Sequence, residues 1–164
     1  MIEHAFITRW SGGLTGEAGG VEIGMEIVMK NLHDYEIDVS PATIDANGHV
    51  NNVEYVRWMQ DAGIDHFARL GGMGALKKIK GTWVARSTTI KYLKPALLGD
   101  RVRVRTWVEE SRRVMSTRKY EIIRVSDGVV LARGETDWVL IDVVSGRPME
   151  IPGEIAALFA DATE

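Results

Sequence analysis

Eight consecutive residues, Asp45-Ala46-Asn47-Gly48-His49-Val50-Asn51-Asn52, carry one carboxylate, one imidazole and three carboxamides. A helical pattern of apolar residues begins directly after them, at Val53. The first turn of a helix has N–H groups without intrahelical acceptors and about half a positive charge, which suits it to stabilise a developing oxyanion. A carboxylate held beside it can attack an activated carbonyl or activate a water molecule. The stretch therefore suggests an acyl hydrolase, with Asp45 as its reactive group.

Each of these residues also has a simpler structural interpretation. Asn51 or Asn52 can cap the helix, Asn47-Gly48 is an ordinary turn pair, and Asp45 can form an Asx-turn. Taken singly, the structural interpretation is favoured for each of them. The combination favours chemistry, with Asn47 and His49 orienting either the carboxylate or the water.

Other catalytic sites find little support in the sequence. The chain has no cysteine, which excludes disulfides and thiolate chemistry. Asp45 and His49 have the spacing of two metal ligands, but the remaining histidines, His4, His33 and His66, suggest no third ligand. No nucleophile elbow, phosphate loop or dinucleotide fingerprint is present. We therefore expect neither a metal nor a serine triad.

Composition indicates one globular domain. The chain has 164 residues, of which 45% are hydrophobic and 26% charged, and its net charge is −3. A nucleic-acid partner is disfavoured because a basic excess is missing, and no apolar run is long enough to span a membrane. The first residues lack the basic and apolar regions of a signal peptide, so a cytoplasmic protein is expected.

Residues 1–32 are expected to form a partly flexible N-terminal extension, followed by a single domain over residues 33–164. The extension contains the turn-rich stretch 11–20 and two further methionines, Met25 and Met29, either of which could be the true start.

Periodicity predicts one long helix among several strands. The helix covers residues 52–70, with an apolar stripe of Val53, Val56, Met59, Gly63, Phe67 and Leu70 that is widened by Tyr55, Trp58 and Ala62, and it is expected to stop at the glycines of residues 71–74. Strands are predicted at 35–40, 82–93, 101–109, 116–125 and 129–143, and a short helix at 153–160. Gly134 is a candidate bulge.

Short connections predict that the last four strands form an antiparallel meander. The broad apolar face of the long helix must then be covered by that sheet. We expect an α+β fold in which a strongly twisted antiparallel sheet wraps around a central helix.

The chain resembles the hot-dog-fold acyl thioesterases, the 4-hydroxybenzoyl-CoA thioesterase superfamily. Residues 45–52 together with Tyr55 and Trp58 are similar to the D-x-N-x-H-V-N-N-x-x-Y pattern of acyl-carrier-protein thioesterases and bacterial long-chain acyl-CoA thioesterases. Residues 90–104 are similar to the family's second strand, turn and third strand, and residues 134–152 to its last strand and exit. The resemblance covers roughly residues 33–160.

This resemblance implies an acyl-CoA or acyl-carrier-protein thioesterase without metal or redox cofactor. Asp45 is then the catalytic carboxylate, Asn47 and His49 are its polar helpers, and a backbone N–H near Asn51 or Asn52 is the oxyanion donor. The resemblance also implies a homodimer or a tetramer of dimers, with active sites at the subunit interface.

The chain departs from the family in two places. The branches related to 4-hydroxybenzoyl-CoA thioesterase place their aspartate two positions earlier, where this chain has Thr43. The plant acyl-carrier-protein enzymes add a carboxylate or cysteine after the helix, and residues 92–96 contain neither. Two alternatives therefore stay open: a non-catalytic acyl-binding module and, more distantly, a hot-dog dehydratase.

The substrate-binding prediction names two groups of residues. Tyr55, Trp58, Met59 and Phe67 are candidates to line an acyl pocket, although aromatic and methionine side chains on such a stripe are mostly core. Arg112 and Arg113, in a turn between strands, could meet the phosphates of CoA, as could Arg118, Lys119 and Arg124. Arg101, Arg103 and Arg105 are expected to be merely solvated.

Overall fold

The computed structural model of the protein describes residues 32–160. Its strands are β1 (His33–Asp38), β2 (Gly81–Tyr92), β3 (Arg101–Arg112), β4 (Met115–Arg124) and β5 (Val130–Asp142). Its helices are α1 (Asn52–Arg69), α2 (Gly72–Ile79) and α3 (Gly153–Ala156), with 3₁₀ turns at Pro41–Thr43 and Ala157–Phe159. The expected N-terminal extension lies outside the described residues, except for Leu32. Among the described helices, none is both long and apolar enough to cross a membrane.

All strands pair antiparallel in one sheet with the order β1-β3-β4-β5-β2. The predicted four-strand meander is wrong in one respect, because only β3, β4 and β5 are consecutive neighbours. β2 pairs with β5, and residues 93–100 carry the chain from β2 across the end of the sheet to β3. In this connection Ala96 is fully buried and its carbonyl accepts a hydrogen bond from Val50 N–H at 3.0 Å.

β3 follows its predicted alternation. Val102, Val104, Thr106 and Val108 are buried, while the three arginines between them point to the other face. These arginines are more than solvated, because they form ion pairs with carboxylates of β1: Arg101 and Arg103 with Glu36, and Arg105 with Asp34. The same alternation therefore buries the valines and places the arginines where their ion pairs stabilise the pairing of the edge strand β1 with β3.

Helix α1 lies across the inner face of this sheet, as predicted. Tyr55, Trp58, Met59 and Ala62 are buried in one core cluster with sheet residues that include Val104 and Ile122. The predicted stripe was misplaced at its start, since Val53 is 58% and Val56 39% exposed. His66, which was not assigned to the core, is 2% exposed.

The glycines after α1 do more than stop it. Gly71 adopts a left-handed conformation (φ +79°), which reverses the chain, and α2 begins at the next residue. A Cβ at Gly72 would lie 2.2 Å from the ring of Phe67, so only glycine fits there. The prediction therefore missed a second helix, which packs on α1 and β2.

Gly134 does not mark a bulge. It sits in regular register opposite Tyr120 and Ile90, and the irregularities fall at Arg86 on β2 and Leu131 on β5. Gly134 is needed for space instead, because a Cβ there would lie 2.7 Å from Met59 Cε.

Candidate active site

A tight turn brings Asp45 and His49 together before α1. Asp45 N–H donates to the carbonyl of His49 at 2.8 Å, Gly48 N–H donates to the carbonyl of Asp45 at 3.0 Å, and Ile44 and Val50 form a β-bridge outside the turn. Gly48 has φ +76°, a conformation that glycine adopts without steric cost. The turn is thus closed by its own backbone.

The two oxygens of the Asp45 carboxylate differ in their bonding. Oδ1 accepts the N–H of Asn47 at 2.8 Å and, more weakly, that of His49 at 3.4 Å, which is the Asx-turn anticipated from sequence. Oδ2 accepts no hydrogen bond from residues 32–160. One oxygen therefore fixes the half-buried carboxylate in place, and the other is left for a ligand or water.

The two asparagines at the start of α1 have different roles. Asn51 is the N-cap: its Oδ1 accepts Val53 N–H at 3.0 Å, and its own N–H donates to the carbonyl of Thr43 at 2.8 Å. Asn52 N–H has no acceptor within the described part of the chain. Of the two predicted oxyanion donors, only Asn52 thus has its N–H available at the positive end of the helix.

These groups face an open cleft of about 470 Å³. It is lined by Asp45, Asn47, His49, Val50, Asn52, Tyr55, Tyr92, Leu93, Lys94 and Pro95. Among these lining residues Asp45 is the only carboxylate, and Lys94 is the only lysine or arginine. The cleft therefore offers one acid, one imidazole and one basic group beside a helix N-terminus.

Two tyrosines join the helix to the strand connection at this cleft. Tyr55 Oη accepts Ala96 N–H at 2.8 Å, and Tyr92 Oη donates to the carbonyl of Asn52 at 3.1 Å. Their rings meet edge to face at 5.3 Å between centroids. Burial raises the pKa of both phenols, so both stay protonated at neutral pH.

The structure does not bring all the predicted substrate-binding residues to the cleft. Trp58 and Met59 are 4% and 1% exposed and belong to the core. Arg112 and Arg113 lie where β3 turns into β4, at the opposite end of the sheet from Tyr92, roughly 30 Å away at 3.3 Å per residue. Arg112 pairs there with Glu110. Within one chain, these two arginines therefore do not line the Asp45 cleft.

Two other residues predicted to contact phosphates, Lys119 and Arg124, form ion pairs within the described part of the chain. Lys119 pairs with Glu109 and Glu135, and Arg124 with Asp100 and Asp127. Sequence reasoning missed Tyr92 and Lys94, which do line the cleft. The available signal was Tyr92 at the end of a predicted strand, with Lys94 and Pro95 following it in the family-like connection to the next strand.

A metal-binding arrangement is not found in the described residues, which contain no group of three or more histidine, aspartate or glutamate side chains able to hold one ion. The chemistry available at the cleft is that of a carboxylate, an imidazole, carboxamides and a backbone N–H donor.

Comparison with known proteins places the chain in a family. It is 32% identical over 110 residues to zebrafish (Danio rerio) Protein THEM6, a match that covers 63% of the chain and 50% of that protein, so the chain spans about half the length of this relative. It superposes on the DHNA-CoA thioesterase of Staphylococcus aureus with a TM-score of 0.67 at 26% identity, covering 73% of this chain and 80% of that one.

A third comparison extends the structural likeness. The 12:0-ACP thioesterase from Umbellularia californica gives a TM-score of 0.71 at 22% identity, over 80% of this chain and 51% of that one. These likenesses confirm the hot-dog fold expected from the sequence. The model of the thioesterase-like superfamily matches residues 39–159. This span includes the turn at Asp45, α1 and every strand of the described sheet except β1, and the chain belongs to that superfamily.

Proposed function

We propose that the chain hydrolyses acyl thioesters of CoA or of an acyl-carrier protein to a free acid and a thiol. The observation that carries the proposal is the asymmetry of Asp45. Its Oδ1 is fixed by two backbone N–H groups, while its Oδ2 has no partner within residues 32–160. A carboxylate positioned by its backbone and open on one side is ready to act on a bound carbonyl.

In the proposed reaction the thioester carbonyl oxygen accepts the N–H of Asn52, which withdraws electron density as negative charge develops. Asn51 supports this donor indirectly, because it caps the helix and fixes the chain through Thr43. Asn47 and His49 line the cleft beside Asp45 and orient the carboxylate or the water. The C–S bond breaks and the thiolate leaves, taking a proton as the thiol.

Asp45 acts either as a nucleophile, through a mixed anhydride, or as a general base that takes a proton from water. Borohydride added during turnover distinguishes the two roles. A mixed anhydride would be reduced, converting Asp45 to homoserine, which peptide mass spectrometry detects. Full turnover with unmodified Asp45 would assign the general-base role.

The family and its solved structures support this class of substrate. The DHNA-CoA thioesterase carries a CoA thioester in its name, and the 12:0-ACP thioesterase a carrier-protein thioester. The cleft contributes the lysine Lys94 as a group for a phosphate of the thiol carrier.

The proposal is tested by thiol release from acyl-CoAs of short, long and aromatic acyl groups and from acyl-carrier proteins. Asp45→Asn should lose at least ~10²-fold in kcat, the range for loss of a positioned acid–base group. The exposed Asp61 on α1 provides the matched control, and Asp61→Asn should keep wild-type turnover. Equal turnover by wild type and Asp45→Asn would place the chemistry elsewhere.

We further propose that the chain works as a homodimer joined along β2. β2 is the longer edge strand, with 12 residues, and its side chains from Val84 to Thr89 are exposed. Exposed apolar side chains surround the cleft nearby: Val53, Val56, Tyr92, Leu93, Leu97 and Leu98. Such an edge beside an apolar surface is a template for strand pairing. A partner would also bring another sheet toward the Asp45 cleft.

One observation favours a second candidate, a non-catalytic acyl-binding module. Asp45 is the only carboxylate among the described residues that line the cleft, so none of these residues is a second acid that could assist it. In that case acyl ligands bind at the cleft, no thiol is released from any thioester, and Asp45→Asn leaves ligand affinity unchanged.

A further inference from the structure

A second cavity, of about 230 Å³, lies beyond the Asp45 cleft along α1. Its walls come from α1, α2, the sheet and the C-terminal turn, and are mainly apolar: Ile64, Phe67, Met73, Leu76, Trp83 and Trp138 contribute, and Phe159 closes one side. It shares no lining residue with the cleft. Tyr55 of the cleft and Phe67 of this cavity are about 18 Å apart along the helix at 1.5 Å per residue.

Among the described residues that line the cavity, one is charged, Arg118 of β4. Arg118 is only 5% exposed, and its guanidinium stacks on the ring of Phe159 at 5.3 Å. Arginine remains protonated inside proteins, and a buried charge is normally paired with an opposite one. Burial lowers the pKa of Arg118, which is the effect of a cation kept from water.

The hydrogen-bond partners of Arg118 are neutral. Nη1 donates to Nδ1 of His66 at 3.0 Å and to Oγ1 of Thr106 at 3.1 Å. A guanidinium can only donate, so Nδ1 of His66 must accept, and this imidazole is the neutral form protonated on Nε2. Within residues 32–160, the hydrogen bonds of Arg118 therefore bring no negative charge to its guanidinium.

No carboxylate of the described residues forms an ion pair with Arg118. The nearby Asp65 carboxylate is held instead by His33 Nε2 at 2.8 Å and by Arg69 Nε at 2.7 Å. Nε and Nη2 of Arg118 make no hydrogen bond within residues 32–160. Within residues 32–160, two donor atoms of this buried cation are thus left without a partner beside an apolar cavity.

We propose that this cavity binds a carboxylate with an apolar body, the carboxylate pairing with the Arg118 guanidinium and the body packing against Phe67, Trp83 and Trp138. Two guanidinium N–H groups match the geometry of a carboxylate, which supplies the missing negative charge. The cavity is larger than the ~150 Å³ apolar cavity that admits benzene, so an aromatic ring or a medium aliphatic chain fits. A neutral ligand of the same shape would leave the buried charge unpaired.

Two sources can supply this chemistry. One is a free carboxylic acid. The other is the distal carboxylate of an ω-carboxyacyl thioester whose thioester end is bound in the Asp45 cleft of another copy of the chain. Only this second source rests on the proposed function. Direct binding measurements separate the two without requiring turnover.

The test compares the affinities of octanoate and 4-phenylbutyrate with those of their neutral amides. Calorimetry and the fluorescence of Trp83 and Trp138 measure the binding. Wild type should bind each carboxylate at least tenfold more tightly than its amide. Arg118→Met should remove this preference. Asp45→Asn should bind the carboxylates as tightly as wild type, because Asp45 lies in the other cleft. This variant therefore separates binding at the cavity from the proposed thioesterase activity. Equal binding of acid and amide by wild type would overturn the inference, and so would loss of binding in Asp45→Asn.

A second variant guards against a folding defect in Arg118→Met. Ile64 is 45% exposed and lines the cavity without touching the charge network, so Ile64→Trp should fold, fill the cavity and abolish binding. Unchanged affinity in that variant would place the ligand elsewhere. For the second source, Asp45→Asn should bind adipoyl-CoA more tightly than hexanoyl-CoA if the distal carboxylate reaches Arg118. If free acids bind tightly but adipoyl-CoA and hexanoyl-CoA bind equally, the natural ligand is a free acid. If wild type does not prefer acids over amides and Asp45→Asn does not prefer adipoyl-CoA over hexanoyl-CoA, the proposal is overturned.

Discussion

The thioether of Met59 lies directly over the backbone of Gly134, so close that a Cβ on Gly134 would be 2.7 Å from Met59 Cε and 2.8 Å from Met59 Sδ. Gly134 sits in the middle of β5, paired on both sides by β4 and β2. The helix therefore packs against the sheet backbone at a position where the sheet has no side chain. This contact sets the depth at which α1 lies in the sheet.

Gly134→Ala should destabilise the protein, because the added methyl group overpacks the contact with the buried side chain of Met59. The expected loss in free energy of unfolding is about 1–3 kcal/mol, the usual cost of an extra methyl group in a well-packed core. Chemical denaturation followed by circular dichroism measures it. In a Met59→Ala background, Gly134→Ala should cost less than in the wild type, since Met59→Ala empties the space that the methyl group needs.

The matched control is Gly74→Ala in α2, where a Cβ would meet nothing within 4 Å. It should leave the unfolding free energy unchanged or raise it slightly, because alanine favours helix. If Gly134→Ala is as harmless as Gly74→Ala, then Met59 moves freely and the contact does not position α1.

The Tyr55 hydroxyl should be needed for stability, whereas that of Tyr92 should matter much less. Tyr55 Oη is the acceptor for the N–H of Ala96, which is fully buried, so Tyr55→Phe leaves a buried donor without a partner. The expected cost is about 1–3 kcal/mol. Tyr92→Phe frees only the exposed Asn52 carbonyl, which water can reach. Thermal unfolding of both variants makes the comparison, and equal losses would contradict it.

The sequence predicted the parts of this fold that depend on local periodicity. β3 was assigned from its alternating valines and arginines, and α1 from its apolar spacing, because each pattern repeats within a few residues. The turn at Asp45 was recognisable for a similar reason: an Asx-turn, Gly48 and the N-cap Asn51 are set by neighbours within four positions.

Features that depend on distant residues were not predictable in this way. The pairing of β2 with β5 is set by contacts roughly 40 to 60 residues apart, which no local pattern encodes. Arg118 was named as a candidate contact for the phosphates of CoA and not as a core residue, because arginine seldom lies in a core. Its burial follows from strand parity, since it shares a face with Ser116 and Tyr120. The alternation of side chains along β4 was visible in the sequence, but the general expectation that charged residues are exposed was given more weight.

Acid should destabilise the protein partly through Asp137. Thr117 Oγ1 donates to its carboxylate at 2.7 Å and Ser87 Oγ at 2.9 Å, and these bonds lower the pKa of Asp137. A lowered folded-state pKa means that this stabilisation is complete above the unfolded value of about 3.9 and is lost as pH falls below it. Denaturation midpoints should therefore drop as pH falls below about 4, and the drop should be smaller in Asp137→Asn. An identical pH profile for the two proteins would remove Asp137 from the explanation.

The proposed dimer makes the edge of β2 sensitive to charge. Val84 lies on this strand and is 44% exposed, so Val84→Lys should place two like charges across a paired edge and convert a dimer to monomer at micromolar concentration. Val143→Lys is the control, because Val143 is also exposed, at 55%, but follows β5 outside the strand edge. Light scattering coupled to size-exclusion chromatography reads the mass of each. A monomeric wild type would overturn the dimer itself, while a dimer unaffected by Val84→Lys would move the interface away from β2. If the partner completes the acyl site, monomeric Val84→Lys should also lose thioester turnover although its Asp45 turn is intact.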